Sequence, residues 1–121
     1  MAGELATARC EACGPGSPQV TPDEQRRFAA EIPEWQVFEE DGERRLRRVF
    51  TFPDFARALA FTDRIGAIAE QEGHHPALLT EWGKVAVTWW THSIGGLHKN
   101  DFIMAAKTDA VWKQEPARTP A

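Results

Sequence analysis

The sequence contains no tyrosine, only two cysteines, and no long apolar run. No stretch approaches the roughly 18 apolar residues of a membrane span, which excludes an integral membrane protein. Basic residues are not in excess: 14 Lys and Arg stand against 18 Asp and Glu, and the net charge of −4 argues against nucleic acid as a partner. The first residues carry neither the basic nor the apolar part of a secretory signal, so we expect a cytoplasmic protein.

The two cysteines, Cys10 and Cys13, form a single C-x-x-C near the N-terminus. One pair cannot complete a four-cysteine zinc site, and the Gly- and Pro-rich residues 14–18 are not the helix start of a thioredoxin-like centre. We therefore expect residues 1–20 to form a flexible arm without essential chemistry. Deletion of residues 1–18 should then change stability and activity little. Metal binding or redox chemistry of the pair stays the alternative.

The rest of the chain has the composition of one globular domain. Of 121 residues, 42% are hydrophobic and 26% are charged, and the length suits one domain, expected at residues 21–115 with a tail at 116–121. Aromatic packing depends on five Trp and seven Phe. Tryptophan is large, so several of the five should mark a core, a pocket or an interface.

Capping signals predict three helices. Thr21 before Pro22 is a hydroxyl cap followed by a proline at the first helical position. Thr51 is a second candidate cap, with Asp54 three residues later. Gly73 should end the helix that follows. The three helices are expected near residues 22–32, 52–72 and 98–114.

Two strand signals are clear. Asp41-Gly42 between two strand-like runs predicts a hairpin with Glu39 opposite Arg44. Residues 84–92 alternate as a half-buried strand does. One face would carry Val85, Val87 and Trp89, and the other Ala86, Thr88, Trp90 and His92. Helices and strands without repeated βαβ units favour an α+β fold: an antiparallel sheet with helices on one face.

All four histidines fall between residues 74 and 98. His74 and His75 follow the expected end of the second helix, and the proline after them holds His75 in an extended conformation. Glu70 lies four residues before His74, within reach of its imidazole if the last helical turn persists. His92 ends the predicted strand. Asp101 opens the third helix, where capping explains a carboxylate equally well.

This spacing resembles the signature of the pterin-4a-carbinolamine dehydratases. The residues that carry the resemblance are Glu70-x-x-x-His74-His75-Pro76, Trp82, Thr91-His92 and Asp101. The resemblance extends over roughly residues 20–115 and includes Trp35. It implies an α+β fold with a four-stranded antiparallel sheet and helices packed on one face. It also implies a homo-oligomer, dimer or tetramer, that recycles the pterin cofactor of aromatic amino acid hydroxylases.

The resemblance further implies residue roles. The catalytic histidines would be His74, His75 and His92, and the substrate-binding or supporting residues would be Glu70, Pro76, Trp82, Asp101 and Trp35. Two positions depart from the family pattern. Gly73 stands where some relatives carry Asp. His98 stands where relatives often carry a capping Ser or Thr, a change that we expect to weaken the helix cap by about 1 kcal/mol.

The chemistry suits these residues. Dehydration of a 4a-hydroxytetrahydropterin needs an acid for the leaving hydroxyl and a base for a ring-nitrogen proton, and it requires no cofactor and no metal. Histidine, with an ordinary pKa of about 6.5, serves in both roles. We expect His74 to be the principal acid–base group, His92 to share that work and His75 to position substrate. Trp82 and Trp35 are candidates to flank the flat pterin ring.

Two other functions are compatible with these residues. The three histidines and Glu70 are also possible ligands of zinc or iron, although no two of the histidines have the i, i+4 spacing of a ligand helix. The same fold also serves as a non-catalytic dimerisation cofactor or assembly chaperone in relatives, and a fold alone does not fix a function. The complete histidine set favours the enzyme.

Overall fold

The computed structural model describes residues 4–11 and 16–115. In chain order the elements are α1 (Glu4–Thr7), α2 (Pro22–Ala29), β1 (Gln36–Glu40), β2 (Glu43–Thr51), α3 (Phe55–Glu72), β3 (Ala77–Glu81), β4 (Lys84–Trp89), a 3₁₀ turn (His92–Ile94) and α4 (Lys99–Gln114). The strands form one antiparallel sheet in the order β1-β2-β4-β3. This confirms the α+β fold with a four-stranded antiparallel sheet. None of the helices in the described residues is long and apolar enough to cross a membrane.

A tight turn at Asp41-Gly42 joins β1 to β2. Both residues have positive φ, 54° and 76°. This is the backbone that a two-residue turn between twisted strands requires and that Asp-Gly readily adopts. The register places Glu39 opposite Arg44, as the sequence predicts.

The central strand β4 supplies the sheet's contribution to the core. Val85, Val87 and Trp89 are completely buried, as the predicted alternation requires. Helices α3 and α4 pack against this strand. The largest fully buried side chains include Trp89, Phe50, Phe61, Phe102, Ile32, Leu46 and Ile65. The strand ends at Trp89, so Trp90 and His92 lie beyond it.

The helix starts follow capping chemistry, with one correction. Thr21 caps α2 in a capping box with Glu24, as predicted, although α2 ends at Ala29, before residue 32. The cap of α3 is Asp54 rather than Thr51. Thr51 is the last residue of β2 and pairs with Lys84. The proline at residue 53 disfavours helical backbone at the residue before it, so the strand conformation persists and the helix begins only after Asp54.

The described N-terminal residues differ from the expected flexible arm. Residues 4–7 form α1, and Leu5 is buried in the core with 2% of its surface exposed. The Lys107 ammonium donates to the Ala6 carbonyl at 3.2 Å. A four-residue helix is too short to show an amphipathic period, so its docking on α4 is a tertiary effect that composition hides. Cys13 and the tail at 116–121 lie outside the described residues.

Candidate active site

A pocket of about 560 Å³ opens where the end of α3, the chain after β4, the start of α4 and the N-terminal segment meet. Three of the four histidines line it: His74, His75 and His92. The other lining residues are Cys10, Glu11, Glu72, Gly73, Trp90, Thr91, Ser93 and Asn100. We call it the histidine pocket.

His74 is held by a fully buried carboxylate. Its Nε2 lies 2.6 Å from Oδ1 of Asp101, and its ring stacks on Trp89 with 8° between the planes. Oδ2 of Asp101 accepts from the Thr91 hydroxyl at 2.8 Å and from the His98 backbone N–H at 2.9 Å. A carboxylate only accepts, so we assign the proton to Nε2 of His74. Nδ1 is then the ring nitrogen left to exchange a proton with a ligand.

A left-handed turn at the end of α3 directs His74 towards α4. Gly73 has φ of 66°, a conformation that favours glycine. The His74 N–H then donates to the Ala69 carbonyl at 3.1 Å, the bond of a Schellman motif. The glycine that departs from the family pattern is therefore well suited to this turn.

The start of α4 positions Asp101. The imidazole of His98 caps the helix, with Nδ1 accepting from the Asn100 N–H at 3.0 Å, and the Asp101 carboxylate accepts from the His98 N–H in return. The expectation that His98 weakens the cap assumed that its side chain could not accept a backbone hydrogen bond. This is wrong, because an imidazole nitrogen accepts here as a hydroxyl would. Asp101 thus both caps α4 and holds His74.

Glu70 contacts His75 rather than His74. Its Oε1 lies 2.6 Å from Nε2 of His75, and both side chains are largely exposed, 79% and 60%. The expected contact with His74 assumed a continued helical turn. The turn at Gly73 ends the helix and sends His74 inward. His75 is then the histidine that lies within reach of Glu70. Pro76 follows immediately and precedes β3.

His92 lines the pocket from the 3₁₀ turn rather than from the end of β4. Its side chain is 87% exposed, and Nδ1 is 3.8 Å from Oε2 of Glu43. The strand stops early because Thr91 pairs instead with Gly96 in an isolated bridge, which closes a short loop around residues 92–95. The side chain of His92 is therefore open to solvent, whereas that of His74 is only 12% exposed.

Two predicted aromatic residues do not line the pocket. Trp35 is in the core, where its Nε1 donates to Asp109 at 2.8 Å. Trp82 is 75% exposed in the turn between β3 and β4. The aromatic side chain that does line the pocket is Trp90, with the Arg45 guanidinium 4.1 Å above its ring. The alternation of the strand had already placed Trp90 away from the core, and this was the available signal.

The N-terminal segment forms one wall of the pocket. The Cys10 N–H donates to Glu72 at 2.9 Å, and this bond lowers the pKa of the Glu72 carboxyl. Burial, and next the nearby Glu72 carboxylate, raise the pKa of the Cys10 thiol to about 12. The thiol is therefore protonated at neutral pH and poorly nucleophilic.

Within residues 4–11 and 16–115, no group of three His, Cys, Asp or Glu side chains is arranged to hold a metal ion. What the pocket does contain is one imidazole fixed by a buried carboxylate, with two further imidazoles at its edge. Such a pocket on a small α+β domain defines a protein suited to general acid–base chemistry on a small molecule.

Comparisons with known proteins identify the family. Residues 18–111 match the family model described as pterin 4 alpha carbinolamine dehydratase. The chain therefore belongs to the pterin 4 alpha carbinolamine dehydratase family, as the sequence motif predicts. A relative from Nitrosococcus oceani is 59% identical over 91% of this chain and 97% of its own, and one from Marinobacter nauticus is 56% identical over 89% and 97%. Both are provisionally named pterin-4-alpha-carbinolamine dehydratases.

Two solved structures share the fold. A protein from Brucella melitensis, titled transcriptional coactivator/pterin dehydratase, superposes with a TM-score of 0.69 at 32% identity, covering 78% of this chain and 98% of that one. A pterin dehydratase-like protein described as a RuBisCO assembly factor in the alpha-carboxysome gives 0.55 at 25% identity, covering 64% and 88%. One protein with this fold is thus described as an assembly factor.

Proposed function

We propose that this protein dehydrates a 4a-hydroxytetrahydropterin to the quinonoid dihydropterin and water, with His74 as the principal acid–base group. The observation that carries the proposal is the 2.6 Å contact between His74 Nε2 and the buried Asp101 in a pocket large enough for a small ligand. A buried partner fixes the ring's orientation and tautomer before substrate arrives, as efficient proton transfer requires.

The reaction needs two proton movements. The 4a-hydroxyl takes a proton and leaves as water, while the lone pair of the neighbouring ring nitrogen forms the C=N bond and expels it. That nitrogen then gives up its own proton to a base. Nδ1 of His74, left open by the bond to Asp101, is the proposed site of one of these transfers. The other belongs to His92, whose exposed ring at the rim can move towards the ligand.

His75 is proposed to position substrate rather than to transfer protons. Its ring shares a short contact with Glu70 at the pocket edge, where both side chains are well exposed. An exposed pair of this kind is weakly held, and binding a ligand orders it at little cost. Pro76 supports the role by restricting the backbone of His75.

The cellular location, the pathway and the oligomeric state are proposed from membership of the same family. We propose that the protein acts in the cytoplasm, recycles the pterin cofactor of aromatic amino acid hydroxylases, and forms a dimer or tetramer. β3 is an edge strand with Leu79 55% exposed, a surface that self-association would cover.

A second candidate function is non-catalytic, as a dimerisation cofactor or an assembly chaperone. The observation in its favour is the likeness to the structure titled a RuBisCO assembly factor. The His74–Asp101 contact favours the enzyme, because binding a partner protein does not require an imidazole fixed on a fully buried carboxylate.

The test is the catalysed dehydration rate of His74→Ala, His92→Ala and the double variant, each corrected for the uncatalysed reaction. His74→Ala should lose about 10²–10⁴ in rate, the usual range for a positioned acid or base. The double variant should lose less than the product of the two, since groups that serve one reaction are not additive. His74→Gln, which keeps a donor for Asp101, covers the case in which the alanine variant folds poorly. Wild-type rates in folded His74 variants would refute the assignment.

A further inference from the structure

We infer that Glu11, in the N-terminal segment, binds the amino-pyrimidine edge of the pterin, and that Asn100 is the residue that positions it. The inference rests on the proposed function and extends it to substrate recognition. Its basis is the anchoring of Glu11 at the histidine pocket by a buried side chain of α4.

The backbone of Glu11 is fixed on both sides by one side chain. The Glu11 N–H donates to Oδ1 of Asn100 at 3.0 Å, and Nδ2 of Asn100 donates to the Glu11 carbonyl at 2.7 Å. Asn100 is only 2% exposed, so both bonds are largely shielded from water. A two-point amide contact of this kind mimics a β-bridge and sets the position of the residue that it holds.

The residue that holds Glu11 lies next to the residue that holds His74. Asn100 and Asp101 are adjacent in the first turn of α4. One therefore fixes Glu11 while the next fixes His74. A ligand held by Glu11 is thereby held in a defined relation to His74, because both contacts depend on two neighbouring residues of one capped helix.

Two carboxylates line the pocket, and they differ in availability. Glu72 is 6% exposed, and its oxygens accept from the Cys10 N–H and from the Arg9 guanidinium. Glu11 is 67% exposed, and Nε2 of His98 lies 3.8 Å from its Oε1, beyond hydrogen-bond distance. Glu11 is therefore the carboxylate that can turn to a ligand.

The chemistry of the substrate fits a carboxylate. The pyrimidine ring of a pterin carries a ring N–H beside an exocyclic amino group, two parallel donors on one edge. A carboxylate accepts such a pair with both oxygens, in the geometry that it also uses with a guanidinium. The opposite part of the substrate, with the 4a-hydroxyl, is then free to approach the histidines.

The test uses the full-length protein with Glu11→Gln, and Glu4→Gln as the matched control. Glu4 is an exposed acid in the same N-terminal segment and does not line the pocket. Glu11→Gln should raise KM for the 4a-hydroxytetrahydropterin about 10- to 100-fold, the range for losing hydrogen bonds to a charged group, with kcat within about twofold. Glu4→Gln should change neither constant. Asn100→Ala should raise KM in the same direction.

A binding experiment separates recognition from simple structural support. Dihydropterin and its 2-oxo counterpart, which lacks the amino donor, are titrated into the wild type and Glu11→Gln. The wild type should prefer the pterin, and the variant should lose that preference. A wild type that dehydrates substrate, with a Glu11→Gln variant of unchanged KM and preference, overturns the inference and leaves the proposed function intact. A wild type that neither binds nor dehydrates pterin overturns the proposed function and the inference with it.

Discussion

Replacing Asp101 by asparagine removes the charge that holds His74 while conserving the shape of the side chain. Asp101 is fully buried and accepts from His74, Thr91 and the His98 backbone. An asparagine offers one acceptor oxygen and one amide group that only donates, so the group that faces the amide can no longer donate and must turn or shift its proton. Because a hydrogen bond to a charged group contributes about 1.5–3 kcal/mol, Asp101→Asn should lower the free energy of unfolding by about that amount.

The catalysed rate should fall by more than the loss of folding stability alone would cause. An amide group facing His74 favours the other tautomer, which moves the ring proton to Nδ1 and removes the open nitrogen. We expect the catalysed rate to fall about 10²- to 10⁴-fold in protein that is still folded. The assay is the dehydration rate at saturating substrate, measured beside urea unfolding.

Asp109→Asn is the matched control. Asp109 lies two turns further along α4, where it accepts from Trp35 Nε1 and from the Arg48 guanidinium, both at 2.8 Å, outside the histidine pocket. Its substitution should reduce stability and leave kcat within about twofold, since no contact to the pocket is lost. An Asp101→Asn protein with wild-type kcat, or equal rate losses in both variants, would show that Asp101 does not hold His74 for proton transfer.

Three further predictions concern the N-terminal segment and metals. Leu5→Ala should lower the free energy of unfolding in urea by about 2 kcal/mol, the low end for a buried leucine because a terminal segment can detach; an unchanged midpoint would mean that the segment does not dock. In a Cys13→Ser background, Cys10 should react with iodoacetamide at pH 8 about a hundredfold more slowly than in the urea-unfolded chain, since burial raises its pKa to about 12; equal rates would contradict this. Dialysis against EDTA should leave the dehydration rate intact, whereas loss and recovery with added metal would favour a metal enzyme.

Local chemistry made much of the fold predictable. The Asp41-Gly42 turn and the Thr21 cap depend only on neighbouring residues, and both are found as predicted. The cap of α3 was misplaced by three residues because the pairing of Thr51 with Lys84 is a contact between strands, which local rules do not contain. The N-terminal segment was missed for the same reason. Its attachment comes from partners on α3 and α4, 62 to 101 residues away.

The residues of the site were easier to name than to connect. Spacing identified His74 and Asp101, but their contact spans 27 residues, and sequence distance assigned Glu70 to the wrong histidine. A flat ring suits a residue that stacks on a pterin, but it does not indicate where in the fold a tryptophan lies. Trp35 is in the core, and Trp82 is on the surface.

All the proposed residue roles depend on one activity, the dehydration of a 4a-hydroxytetrahydropterin. The most direct measurement is the rate of that dehydration at saturating substrate with purified wild-type protein. The rate of the same reaction without protein is subtracted. The rate should be proportional to protein concentration and well above that of the uncatalysed reaction. A rate indistinguishable from the uncatalysed one, in folded protein, would contradict the proposed dehydratase activity and favour an assembly function.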